Sequence, residues 1–176
     1  MLKKIAIALA AVILVPIATI LLIAMSKPNT FYVERSARIQ ATPEKIFPMI
    51  NNLQRFTTWS PFEIKDMQRT FSGPESGEGA TYDWEGEEAG KGRLEITESS
   101  PPDKVVMSLS FVRPFETRNE VEFTLKPEGD ATLVTWSMRG PMVLASKVVS
   151  VFIDINEMIG NDYERGLQNL KKLSET

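Results

Sequence analysis

The sequence has no cysteine and no histidine. Without cysteine there are no disulfides, no thiolate nucleophile and no Cys-ligated metal, and any redox compartment is allowed. Without histidine there is no Ser-His-Asp triad, no two-His-one-carboxylate iron site and no His-ligated zinc. No metal site and no cofactor are expected. Basic residues are also the minority: 20 lysines and arginines face 23 acids, for a formal net charge of −3. That balance argues against a phosphate-binding surface, so no nucleic-acid partner is expected. Gly73 to Gly79 is glycine-bearing but lacks the GxxxxGK[ST] and GxGxxG spacings, and it reads as a hairpin loop rather than a phosphate cradle.

What is present begins with an uncharged run from Ile5 to Met25, preceded by Lys3 and Lys4 and followed by Ser26 and Lys27. At about 1.5 Å per residue this run reaches roughly 30 Å, the thickness of a hydrocarbon core. It is read as an N-terminal transmembrane helix, with Pro16 tolerated inside it. The lysine bias then predicts a single-pass membrane protein, N-terminus cytoplasmic and domain extracytoplasmic, on the periplasmic or extracellular side. The rival reading is a cleaved signal peptide, since Ala24-Met25-Ser26 offers small residues at the specificity positions. The chain thus divides into residues 1–27, a membrane anchor or signal peptide, and residues 28–176, one folded domain of about 150 residues.

That domain ends in an amphipathic helix from Glu157 to Ser174. Ile159, Tyr163, Gly166, Leu167, Leu170 and Leu173 form one stripe, and Asn161, Asp162, Glu164, Arg165, Lys171 and Lys172 take the other side. Such a stripe requires a partner surface, and the chain between Thr30 and Gly140 is β-rich. Phe31 to Ile39 alternates as a strand, with Arg35 on its apolar side, either reaching the edge or pointing into a cavity. Thr42-Pro43-Glu44 opens a short helix through Ile50, and Leu53 with Phe56 suggest a second, ending near Trp59-Ser60-Pro61. Strands follow at 68–72, 79–85, 91–98, 104–112, 116–125 and 131–139, separated by turn residues that include Pro101-Pro102 and Pro114. Short connections imply an antiparallel meander. The apolar face carries Tyr82 and Trp84, Leu94 and Ile96, Met107, Leu109 and Phe111, Val121 and Phe123, and Trp136 and Met138. The opposite face carries Asp83, Glu85, Arg93, Arg118, Glu120, Glu122 and Arg139, for which cross-strand ion pairs are expected.

The order of these elements, together with Val33-Glu34-Arg35-Ser36, Thr42-Pro43-Glu44-Lys45-Ile46-Phe47, Trp59-Ser60-Pro61, Gly77-Glu78-Gly79-Ala80-Thr81-Tyr82, Thr135-Trp136-Ser137-Met138 and Gly166-Leu167-Gln168-Asn169-Leu170, resembles the START-like, or SRPBCC, superfamily. The branch it is most similar to is the polyketide cyclase/dehydrase and lipid-transport group. The resemblance implies an α+β helix-grip fold: a curved seven-stranded antiparallel sheet around the long C-terminal helix, two short helices after the first strand, and a cavity for an apolar small molecule or lipid.

Each candidate site residue has two readings. Tyr82, Trp84, Phe111, Trp136, Met138 and Tyr163 either line a cavity or pack as core. Gly166 either permits close approach of helix to sheet or leaves room for a ligand, and Trp59 either borders the cavity mouth or pins a loop. The apolar stretch Pro141 to Ile155 is either a lid, with Val149 and Phe152 facing the cavity mouth or a membrane, or an ordinary core segment. No catalytic residue is assigned. The function expected is binding of a hydrophobic small molecule or lipid by a membrane-anchored, extracytoplasmic domain; the alternatives are a polyketide cyclase/dehydratase-type enzyme without metal, and a non-binding envelope interaction module.

Overall fold

The computed structural model describes residues 2–63, 67–113 and 116–176, with the side chains of residue 3 and of residue 12 onward among them. Strands form where the apolar alternation lies: β1 (Thr30–Ile39), β2 (Gln68–Ser72), β3 (Thr81–Gly86), β4 (Gly90–Ser100), β5 (Lys104–Arg113), β6 (Thr117–Glu128) and β7 (Ala131–Pro141). Pro114, expected to separate β5 from β6, lies outside the described residues. The helices are α1 (Leu2–Ser26), α2 (Pro43–Asn51), α3 (Leu53–Phe56), α4 (Leu144–Val149) and α5 (Ile155–Ser174).

The seven strands form one sheet in the order β1-β7-β6-β5-β4-β3-β2, antiparallel throughout. From β2 to β7 each strand pairs with the next, and β1 adds itself beyond β7, from Thr30 opposite Pro141 to Ile39 opposite Thr132. Register shifts in β4, between Lys91 and Gly92 and between Ile96 and Glu98, bend that strand. The outer face carries ion pairs, as expected for Arg93 to Asp83 at 2.7 Å and Arg139 to Glu120 at 2.5 Å, while Glu85 pairs with two residues not singled out in the sequence, Lys91 at 2.9 Å and Arg113 at 2.7 Å. Exposed pairs of this kind are worth about 1 kcal/mol or less each, so they fix register more than they hold the fold.

The inner face holds the core, into which α2 inserts Ile46, Phe47 and Ile50. Helix α5 packs against β1 and β7. It starts two residues before Glu157 because Asp154 Oδ1 accepts hydrogen bonds from the amides of Asn156 (2.9 Å) and Glu157 (3.2 Å), capping the first turn. Its buried face is Gly160, Tyr163, Gly166, Leu167, Leu170 and Ser174. Leu173, expected on that face, is 44% exposed, while Ser174 is buried. Steps of three and four both satisfy an apolar stripe, and packing here follows the step of four from Leu170 to Ser174.

The expected transmembrane helix is corrected. The N-terminal segment is helical, but no helix among the described residues is long and apolar enough to cross a membrane. The single-pass anchor, and the localisation drawn from it, fall with that finding. An apolar run acts as a span only where its length is left to lipid, and the last turn of α1 is turned to protein instead. Ala24 is fully buried and α1 packs on α4. Lys147 Nζ, on α4, donates to the carbonyl of Lys27 (3.0 Å) and to Asn29 Oδ1 (2.7 Å), and Lys27 Nζ reaches the Ser150 carbonyl at 3.3 Å.

Candidate functional site

Between the inner face of the sheet and α5 lies a cavity of about 620 Å³, inside the range of roughly 300–1,000 Å³ typical of small-molecule sites. The strand alternation builds most of its wall. β3 supplies Tyr82 and Trp84, β5 supplies Met107, Leu109 and Phe111, β6 supplies Asn119 and Val121, and β7 supplies Trp136 and Met138. Ile159 and Tyr163 close it from α5, Ser60, Pro61 and Phe62 from the loop after α3, and Met142, Ser146 and Ile155 from the segment between β7 and α5.

The rings position one another. Tyr163 stacks on Trp136 with centroids 3.9 Å apart and planes within 11°, and Phe62 meets both edge-on. Trp84 meets Phe111 edge-to-face at 5.6 Å. The Trp84 ring lies where Gly92 has no side chain: a Cβ there would stand 2.3 Å from Trp84 Cζ2. The indole N–H of Trp136 is buried without a hydrogen-bond partner, and burial pushes the Tyr163 phenol above its ordinary range.

One polar cluster interrupts the apolar wall. Tyr82 Oη donates to Glu63 Oε1 at 3.2 Å, and Arg69 Nε donates to Glu63 Oε2 at 2.7 Å. Burial, reinforced by the Glu63 charge, raises the Tyr82 phenol to about 12. It therefore remains a hydrogen-bond donor through the physiological range. Among the described residues no group of three or more His, Cys, Asp or Glu is arranged to hold a metal ion. A second hollow of about 1000 Å³ opens at the β3–β4 turn beside Glu85, Glu87 and Arg113, and shares Ala89 and Phe111 with the first.

Of the residues singled out in the sequence, Tyr82, Trp84, Phe111, Trp136, Met138 and Tyr163 stand on the cavity wall. Three do not. Arg35 reaches the edge of the sheet, where its guanidinium donates to Glu164 Oε1 at 2.8 Å and to Asn156 Oδ1 at 3.2 Å, across Gly160. Trp59 is buried in the core, donating from Nε1 to the Met49 carbonyl at 2.8 Å, while its neighbours Ser60 and Pro61 line the cavity. Gly166 is a point of close approach, as an added Cβ would stand 2.7 Å from Trp136 Cζ3 and 2.9 Å from Pro61 Cδ. Val149 and Phe152 face outward, 48% and 69% exposed, on a segment whose inward residues are Met142, Ser146 and Ile155.

Sequence reasoning passed over Asn119, Glu63 and Asp162. Asn119 had a signal: its neighbours Arg118 and Glu120 belong to the outer face, so alternation puts this polar residue in phase with Val121 and Phe123. Asp162 was placed on the solvent side of α5, yet it borders the cavity.

No curated protein matches this chain. Solved structures share the fold at low identity. Protein CV1439 from Chromobacterium violaceum is 15% identical with a TM-score of 0.59, over 85% of this chain and 99% of that one. The Aha1 dimer from Colwellia psychrerythraea is 18% identical with a TM-score of 0.59, over 82% and 96%. DynU16, a protein of the dynemicin biosynthetic locus, is 17% identical with a TM-score of 0.59, over 85% of this chain and 48% of its own. Likeness at these identities speaks for the fold alone. The family described as polyketide cyclase/dehydrase and lipid transport matches residues 30–175, the whole of the sheet together with the helix it grips. Strand order, gripping helix and family match agree, and the chain belongs to the polyketide cyclase/dehydrase and lipid transport family.

Proposed function

We propose that this chain binds an apolar small molecule or lipid in the cavity between its sheet and α5. The observation that carries the reading is the cavity itself: about 620 Å³ left unfilled by the protein's own side chains, walled mainly by aromatic, aliphatic and methionine residues. Protein interiors are close-packed, so a hollow of that size within a core has a use more readily than it is left over. A non-binding interaction module gives no reason to keep such a space open. The test is native mass spectrometry of the full chain purified under mild conditions, followed by organic extraction. A stoichiometric apolar mass travelling with the protein is the expected result. A protein that arrives empty and takes up neither a fluorescent fatty alcohol nor a sterol overturns the reading.

One observation favours a second reading, an enzyme of cyclase or dehydratase type. Tyr82, a protonated phenol, and Glu63, a carboxylate, share a hydrogen bond on the cavity wall, and together they form a donor and an acceptor beside an apolar space. Turnover of a poly-β-keto thioester by the chain, abolished in Tyr82→Phe, would decide for the enzyme.

A further inference from the structure

We propose that the cavity selects an amphiphile whose polar group is uncharged, a hydroxyl or a carbonyl, and that the Asn119 carboxamide receives it; this rests on the cavity being a ligand site. Asn119 lies on β6 in the inward phase, on the cavity wall, and is only 7% exposed. Its carboxamide makes no hydrogen bond to any described residue. Unlike the enclosed Trp136 indole N–H, its polar atoms are not sealed inside the protein, so an inward amide with no protein partner is left open to a polar group brought into the cavity. The backbone makes space for it: Gly140 on β7 has no side chain, and a Cβ there would stand 1.9 Å from Asn119 Oδ1. A carboxamide both donates and accepts, so it suits a hydroxyl or a carbonyl equally.

The charge of the wall sets the second half of the selection. Among the described residues of the wall, the charged ones are Glu63, Glu88 and Asp162, all acidic. A fatty carboxylate would bring a further negative charge into the same space of low polarity, which disfavours it or forces it to take up a proton. Among the described residues, the cations beside Glu63 and Asp162 are engaged with the protein. Arg69 donates to Glu63 and to the Met67 carbonyl, and Arg165 holds Asp162.

The experiment measures hexadecanol, hexadecane and palmitate, matched in chain length, by displacement of an environment-sensitive dye from the full chain at neutral pH. Hexadecanol is expected to bind about tenfold or more tightly than palmitate. Asn119→Leu, which keeps the volume and adds no polar group, is expected to lower the ratio of hexadecanol affinity to hexadecane affinity by about three- to tenfold. Glu63→Gln is expected to narrow the gap between alcohol and acid. Palmitate binding as tightly as hexadecanol overturns the selection, and an unchanged hexadecanol-to-hexadecane ratio in Asn119→Leu overturns the role of Asn119. In either case binding of the chains themselves leaves the cavity reading intact. If none of the three binds, the cavity is not a ligand site and both readings fail.

Discussion

Gly166 meets the sheet with nothing in between. Its missing side chain is the space taken by the Trp136 ring and by Pro61, and the Trp136 ring in turn stacks on Tyr163 and forms cavity wall. One hydrogen atom in place of a methyl therefore sets how closely α5 lies on β7. Gly166→Val is expected to destabilise the fold by about 1–3 kcal/mol, the usual consequence of overpacking, read as a lower urea midpoint. A midpoint that stays or rises would show that α5 can retreat without loss. At this scale the sequence was uneven in what it disclosed. Trp84, Phe111 and Trp136 declared themselves, because large rings in phase on strands must go inward. Glu63 did not, because it lies on a loop with no periodicity, and its position beside Tyr82 depends on contacts distant in the chain. Asn119 was legible in principle from its phase on β6.

The segment between β7 and α5 shows what an element adds to its residues. Its composition is apolar nearly all round, so hydropathy alone could not choose a face. In the structure Met142, Ser146 and Ile155 take the cavity side and Val149 and Phe152 the outer side. The choice is made by Lys147, buried on α4, whose ammonium is tied to Lys27 and Asn29 just ahead of β1, with the Met142 amide donating to the Asn29 carbonyl at 2.8 Å. Lys147→Met removes both tethers, and hydrogen bonds of a charged group are worth about 1.5–3 kcal/mol each. The expected outcome is local rather than global: faster hydrogen exchange at Ser150 and Phe152 and faster loss of bound dye, with the sheet amides unchanged. Phe152→Ser, which touches neither tether, should leave both rates as they are. Uniform loss of protection across the sheet in Lys147→Met would show that α4 is part of the core and not a strap over it.

Over the whole molecule, burial of two phenols links the fold to pH. Tyr82 and Tyr163 both hold their protons above the ordinary value of 10.0, Tyr82 to about 12, chiefly because burial disfavours the phenolate. Above pH 10 the unfolded chain gives up these protons while the folded chain keeps them, so the stability they support is complete below about pH 10 and lost as pH rises towards 12. Urea midpoints taken across that window should fall, and Tyr82→Phe should flatten part of the fall; a flat wild-type profile would contradict the burial of these rings. The helices and strands themselves were written in the sequence, since periods of two and of three to four residues depend only on backbone geometry and on which side meets water. Those periods, with Pro43 opening α2, determined the elements and most of their inward faces, while the Asp154 cap that starts α5 came to light only in the structure. Tertiary structure decided the rest. The pairing of β1 with β7, residues a hundred positions apart, closes the sheet through contacts that no local pattern encodes. The apolar N-terminal run read as a membrane span, but its last turn packs on α4, and hydropathy does not record what surface a helix will find. The cavity belongs to the same class, because an empty volume is a property of how two faces fail to fill the space between them, and neither face carries it alone.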